Sequence, residues 1–416
     1  MNRSKSLGGT IALVGLLLVL LCIPAAMVLG TPVPGGELVV AKPTDPQSLD
    51  PQLDSGGPSS EIQYSVLENL VSFDADMQLR PELATSWDIS PDGKTYIFHL
   101  RQGVKFHDGT DFDAGAVKFM AERSMGKIGD KKNRYLRLIQ PLQSVDVIDS
   151  HTVRMNLESP FAPFLNSLAH TGFSIFSPTA FKKMGTAFGQ APVGTGPFKV
   201  VKWTKGQSIV LEKNPDYWKP GVPLLDRITF RILPDAQTRI AALRAGEVDF
   251  VIQIPENLFS NIDAVPGINA IKTQTLRTIF FQFNPSRAPF DDINVRKAFC
   301  HLVDNELIAD TILEGLHFPA EQPTQPYGVW GIARGIEPYA YDPDLAAQAL
   351  EASGWSKDRR RGWMKDGQPL SFTLWTTTNR YPQDSTIAVA VKSILEEAGM
   401  QVDVPVSYTH LRAHET

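Results

Sequence analysis

The residues of this chain that come nearest to catalytic chemistry are two histidines, one cysteine and a pair of aspartates. His99 and His107 lie on either side of a short turn at Gly103 and could share a metal, but no Cys or carboxylate completes a ligand set with them. Histidines on strands are usually hydrogen-bonded structural groups, and that reading stands beside the metal one. Cys300, one position before His301, has no catalytic company that the sequence reveals. Asp291-Asp292 precedes an apolar helical run near Val295 and reads as a helix cap rather than an acid/base pair. A Gly-x-Ser-x-Gly elbow and a His-Glu-x-x-His helix are both missing from the sequence. Gly93-Lys94-Thr95 could close a phosphate loop only with glycine at position 88, which is Asp88. Gly194-Thr195-Gly196 is followed by Pro197, which removes an amide that a phosphate cradle would use, so it reads as a strand-entry turn. The chain therefore reads as a non-enzyme with no cofactor and no metal.

The elements that would position a site are clearer than any catalytic group. Tyr96-Ile97-Phe98-His99-Leu100 alternates with a period of two between turns at Pro91-Asp92-Gly93 and Asp108-Gly109. Asp113 then precedes an apolar run through Val117, Phe119 and Met120, the pattern of a capped helix. A strand is predicted over Glu37–Lys42, then a Pro- and Gly-rich loop over Thr44–Ser60 and a helix over Glu61–Leu70. Two strands around Asp149-Ser150 and a hairpin turning at Lys205-Gly206 follow. Further strands are predicted at Ile228–Leu233, Val248–Ile252, Phe280–Asn284, Ser371–Thr376 and Val402–Val404. Helices are predicted at Asp235–Ala245, Val295–Ile312 and Ser385–Ala398. Such alternation means α/β lobes with open, mixed sheets.

Composition narrows the class. With 43% apolar and 20% charged residues the chain is globular rather than disordered, and 416 residues exceed one ordinary core. A formal charge of -5 argues against nucleic acid as a partner. The basic runs at Asp130–Arg134 and Arg359–Arg361 are short and read as solvated faces. Arg3 and Lys5 precede an apolar run from Leu7 to Leu29, so residues 1–30 read as a secretory signal peptide or an N-terminal anchor. Export would place the protein on the periplasmic or extracellular face of the cytoplasmic membrane. If the signal is removed, Cys300 is the only cysteine left and no internal disulfide can form.

The segment from Leu83 to Met120 closely resembles the opening signature of the family 5 solute-binding proteins, the peptide and nickel receptors of ABC importers. Further blocks fall in the same order: Gly194–Phe198, Asn214-Pro215-Asp216-Tyr217-Trp218, Leu225–Phe250, and Phe281–Asp304 with Asn284, Pro289–Asp292 and Val295-Arg296. The resemblance implies an α/β, two-lobed periplasmic-binding-protein clamshell (class II type) with mixed sheets and an extra subdomain in lobe one. By it, residues 37–71 and 189–274 would form lobe one, 72–188 the extra subdomain, and 275–405 lobe two, with the hinge crossing near Thr273–Phe281. Family members continue beyond this point, so lobe two reads as incomplete, and residues 406–416 read as a non-native tail.

A small peptide presents an ammonium and a carboxylate, and desolvating either is costly without oriented partners. The loop Asp54–Pro58 carries glycines that let the main chain approach a ligand. In dipeptide receptors the matching loop supplies main-chain contacts, and Ser55, Gly56 and Gly57 fall on it; a flexible connector is the alternative. The segment Trp375–Pro382 follows a strand and precedes a helix, where α/β sheets place ligands. In peptide receptors an arginine at this strand end holds the peptide carboxylate, and Arg380 falls on it; its fork would match a carboxylate. Trp375, Asn379 and Tyr381 would line the same pocket. The resemblance thus implies a monomeric receptor that passes a small peptide to ABC permease subunits, touching the membrane only through its N-terminal segment or the permease. A nickel chelate or other solute on the same fold, or a sensory protein docking on a membrane receptor, are the alternatives.

Overall fold

A computed structural model describes residues 33–129, 133–273, 275, 278–320, 335–377, 381 and 383–405. The expected signal segment and tail therefore lie outside the described residues, as do Asn379, Arg380 and Pro382.

The first half is built on two main sheets, with a two-stranded antiparallel ribbon of Val71–Phe73 and Leu79–Pro81 beside them. In the larger, Glu37–Lys42 lies between Phe250–Val251 and Arg227–Ile232 and runs parallel to both. Ser208–Lys213 and Phe198–Thr204 extend that sheet as an antiparallel hairpin, making it mixed. The second sheet is wholly antiparallel, in the order Ala84–Ile89, Thr95–Leu100, Thr152–Leu157, Leu142–Asp149. Its period of two is literal: Tyr96, Phe98 and Leu100 are buried while Thr95, Ile97 and His99 face outward. Asp113 caps the helix Ala114–Ser124, its Oδ1 accepting the Ala116 N–H at 3.0 Å. One continuous apolar core, from Val40 to Phe230, serves both sheets.

The second half has its own core, gathered around Val295, Phe299, Leu350, Trp363, Val391 and Leu395. Here Ser371–Thr373 and Gln401–Asp403 pair in parallel, and the helix Asp384–Glu397 crosses between them. A three-stranded antiparallel ribbon, Ser356–Asp358, Gly362–Lys365 and Gln368–Pro369, flanks this unit. Between the halves, His317 Nε2 meets Glu256 Oε1 of the helix Glu256–Asp263 at 2.9 Å.

Several elements differ from the sequence reading for local reasons. The first helix is Gly57–Val66, not Glu61–Leu70. Pro58 suits the opening turn, where its missing N–H costs nothing. The helix stops because Gly196 donates its N–H to the Val66 carbonyl (3.1 Å), and Leu67 turns to extended backbone. The helix predicted over Val295–Ile312 breaks after Leu302: Asp304 accepts the Leu307 N–H and starts a new turn. Phe280–Asn284 is not a strand, since no described segment pairs with it, though Phe281 and Phe283 pack on the second core. The helix Pro343–Ala352 and the ribbon after it were not anticipated. Asp342-Pro343 carried the signal, a side-chain cap followed by proline in the first turn.

Candidate functional site

The predicted binding residues that the structure describes, Ser55, Gly56, Gly57, Trp375 and Tyr381, fall into two groups, one beside each of the two large cores. Ser55 and Gly56 close the loop that leads into the Gly57–Val66 helix. Lys42, 1% exposed, fastens the start of this helix by donating to the Pro58 carbonyl and pairing with Glu61, both at 2.6 Å. Asp54 braces the loop from inside: Oδ1 accepts the Gly56 N–H at 3.0 Å and Oδ2 accepts the Ser59 hydroxyl. Gln63 donates to the Asp54 carbonyl at 2.7 Å. The Ser55 N–H donates to the Tyr135 hydroxyl at 2.8 Å, and the Ser55 hydroxyl to the Pro51 carbonyl.

The segment is thus an ordered helix entry, not a slack connector. The Ser55 and Gly56 amides are engaged within the protein. Gly57 is exposed at the first position of the helix, where the backbone N–H has no intrahelical acceptor. Anions and carbonyl oxygens are favoured at such an end.

The second loop leaves the carboxyl end of Ser371–Thr373 and enters the helix Asp384–Glu397. Asp384 organises it. Its Oδ2 accepts the Thr377 hydroxyl at 2.6 Å and the Tyr381 N–H at 3.3 Å, and its carbonyl accepts the Thr376 hydroxyl at 3.1 Å. Trp375 and Tyr381 present their rings to solvent, 50% and 37% exposed. No hydrogen bond or ion pair among the described residues joins the two loops. Two open surface hollows, each near 450 Å³, lie elsewhere. One is lined by Glu37, Glu212 and Arg227, the other by Phe280, Phe283 and Arg296, and neither includes a predicted binding residue.

The residues weighed for catalysis have other tasks. His99 Nε2 meets Asp88 at 2.9 Å on the sheet surface. His107 Nδ1 accepts the Gly194 N–H, and Nε2 faces the Gly196 carbonyl at 2.9 Å, so the neutral ring carries its proton on Nε2. Burial lowers its pKa to about 4, which keeps it neutral. Asp292 caps the helix Ile293–Leu302 through the Asn294 N–H. Burial pushes the Cys300 thiol up, away from the thiolate form.

Two carboxylates escaped the sequence reading. Glu68, 4% exposed, accepts from the Thr195 and Tyr217 hydroxyls and from the Trp218 indole, and Glu82 accepts the Asn69 N–H at 2.7 Å. The Asn214–Trp218 block therefore serves to satisfy a buried acid. Only the proximity of Glu68 to the Leu67 and Leu70 apolar run hinted at burial.

Comparison with known proteins places this architecture. The profile described as "Bacterial extracellular solute-binding proteins, family 5 Middle" matches residues 78–412. The glutathione-binding protein GsiB of Shigella flexneri serotype 5b is 30% identical over 398 residues, covering 96% of this chain and 75% of that protein. Among solved structures, the ABC transporter-associated periplasmic binding protein DppA from Helicobacter pylori, in complex with the peptide STSA, superposes with a TM-score of 0.80. It is 32% identical, over 92% of this chain and 75% of that one. NikA from Brucella suis, in complex with Fe(III)-EDTA, gives a TM-score of 0.80 at 31% identity, over 90% of this chain and 75% of that one. The chain belongs to the family 5 bacterial extracellular solute-binding proteins, the two-lobed, non-enzymatic substrate-binding components of ABC importers.

Proposed function

We propose that this protein captures a small peptide, glutathione-like in size, between its two lobes and delivers it to an ABC permease outside the cytoplasmic membrane. In this reading residues 37–71 and 189–274 form lobe one, 72–188 its extra subdomain and 275–405 lobe two, and the protein works as a monomer. The observation that carries the proposal is the pairing of two braced loops with the chemistry a peptide needs. The first, on the core around Val40, offers the exposed Gly57 amide at a helix N-terminus. The second, on the core around Phe372, leaves the carboxyl end of a strand with Trp375 and Tyr381 open to solvent. Ser55, Gly56, Gly57, Trp375, Asn379, Arg380 and Tyr381 would form the site, with the Arg380 guanidinium on the peptide carboxylate. The GsiB relatives bind glutathione and the DppA neighbour holds a tetrapeptide, which supports a peptide over other solutes.

Ligand contacts on both lobes would favour a closed state, which the permease then recognises. A second reading, a metal chelate, is favoured by the likeness to NikA with its bound Fe(III)-EDTA. Tryptophan fluorescence separates the site residues from bystanders. Titrating glutathione and short peptides should shift the emission of the wild-type chain. Arg380→Ala should weaken binding by about 2–5 kcal/mol, the range for truncating a desolvated charge pair. Unchanged affinity in Arg380→Ala would remove the arginine from the site, and a response to nickel-histidine alone would favour the chelate.

A further inference from the structure

Period-two alternation in the strand Glu37–Lys42 puts Leu38, Val40 and position 42 on one face. Val39 and Ala41 turn to the opposite face, onto the small core with Ala242 and Val248. Val40 is buried in the large core, so position 42 is where the pattern asks for another apolar side chain. Lys42 stands there instead, 1% exposed at the carboxyl end of a strand flanked on both sides. Burying an ammonium is costly unless it is paired and hydrogen-bonded.

What the lysine holds is the start of the Gly57–Val66 helix. Its Nζ donates to the Pro58 carbonyl and meets Glu61 Oε2, both at 2.6 Å, and lies 5.8 Å from the centre of the Phe230 ring. The other end of the residue is fixed by the sheet, where the Lys42 carbonyl accepts the Leu233 N–H at 2.9 Å. The side chain therefore ties the first helical turn to the strand end. That turn needs a tie, because its N-cap is Gly56, which offers no side chain to cap it. Its own bonds run from the Ser59 and Ser60 N–H groups to the Gly56 carbonyl. A cation near a helix N-terminus works against the helix dipole, and Glu61 offsets it.

We propose that Lys42 is a positioning residue for the peptide site. Its ammonium sets where Gly56 and Gly57 stand relative to the sheet, and ligand affinity depends on it while the stability of the fold does not. The inference rests on the peptide reading of the Ser55–Gly57 loop. A buried ion pair adds little to stability over apolar side chains of similar size, and replacing one is often neutral or stabilising. What the pair supplies, and an apolar side chain cannot, is a fixed position for the main chain it holds. A residue that breaks the apolar pattern without a gain in stability is expected where function needs it.

The test is a double variant, Lys42→Met with Glu61→Gln, which keeps side-chain length and restores the apolar register. Its urea and thermal midpoints should equal or exceed those of the wild type. Hydrogen exchange at the Ser59 and Ser60 amides should nonetheless be faster, with protection in the sheets unchanged. Binding of glutathione and of the peptide STSA should weaken by about tenfold or more, the lower end of what outer-shell partners contribute at metal sites. Wild-type exchange at both amides together with wild-type affinity would overturn the proposal. So would a variant that loses protection throughout and binds weakly in proportion, since Lys42 would then serve the fold alone. If the wild type binds neither peptide, the peptide reading fails separately, and exchange at Ser59 and Ser60 still decides whether Lys42 fixes the helix entry. Should the variant fail to fold, nitrogen NMR of the wild-type lysine ammoniums decides. A slowly exchanging ammonium that shifts when glutathione or STSA binds supports the role, and one unmoved at saturation overturns it.

Discussion

Arg123 and Asp50 show how a single pair of charges can hold a site in place without touching ligand. Both are 4% exposed, and the guanidinium donates to both carboxylate oxygens at 2.9 and 2.6 Å while lying 4.2 Å from the centre of the Phe181 ring. The pair anchors the stretch that leads into Ser55–Gly57, since Asp50 also accepts the Gln52 N–H. Removing one partner strands the other in low dielectric. Arg123→Ala should therefore cost about 3–5 kcal/mol in urea unfolding. A cost below about 1 kcal/mol would show that water reaches Asp50 and that the loop is braced by Asp54 alone. Such pairs are hard to read in a sequence, because Asp50 and Arg123 are more than seventy positions apart. The same holds for Glu68, whose partners Thr195, Tyr217 and Trp218 all lie more than a hundred positions away.

At the level of elements, close approach explains what local rules could not. Gly194 and Gly196 press against the end of the first helix. A Cβ at Gly194 would lie 2.2 Å from the Val66 carbonyl oxygen, and one at Gly196 would lie 2.6 Å from the Val66 carbonyl carbon. Backbone cannot swing aside as a side chain can, so Gly196→Ala should destabilise by at least the ~1–3 kcal/mol typical of overpacking. A thermal midpoint equal to wild type would mean that the helix end yields freely. The strand-entry turn at these glycines was legible because Pro197 is a local signal, whereas the role of the glycines was not. The hairpin around Pro91-Asp92-Gly93, the Asp113 cap and the Asp292 cap were legible for the same reason: each depends on residues within a few positions of one another. Phe280–Asn284 failed as a strand because pairing is a property of two segments, and its aromatic pattern is spent on packing Phe281 and Phe283 against Phe299. Arg380 and Asn379 lie outside the described residues, so the loop's frame is known from Asp384, Thr376, Thr377 and Tyr381.

For the molecule as a whole, two large apolar cores carry the two-lobed fold of a family that binds solutes without reacting with them. The class was legible because several ordered blocks recur along the chain, while the solute depends on residues that converge only in three dimensions. Capture at micromolar concentration requires about -8 kcal/mol net, within reach of a few charge contacts plus burial of a small ligand. Calorimetric titration of the full chain with glutathione, di- and tripeptides and nickel-histidine is the most direct test, with the peptides recovered afterwards and weighed by mass spectrometry. The expected result is one site per chain, a peptide among the binders at micromolar affinity, and every peptide returned intact. Heat with nickel-histidine and none with any peptide would contradict the proposed solute, and cleaved peptides would contradict the binding role itself.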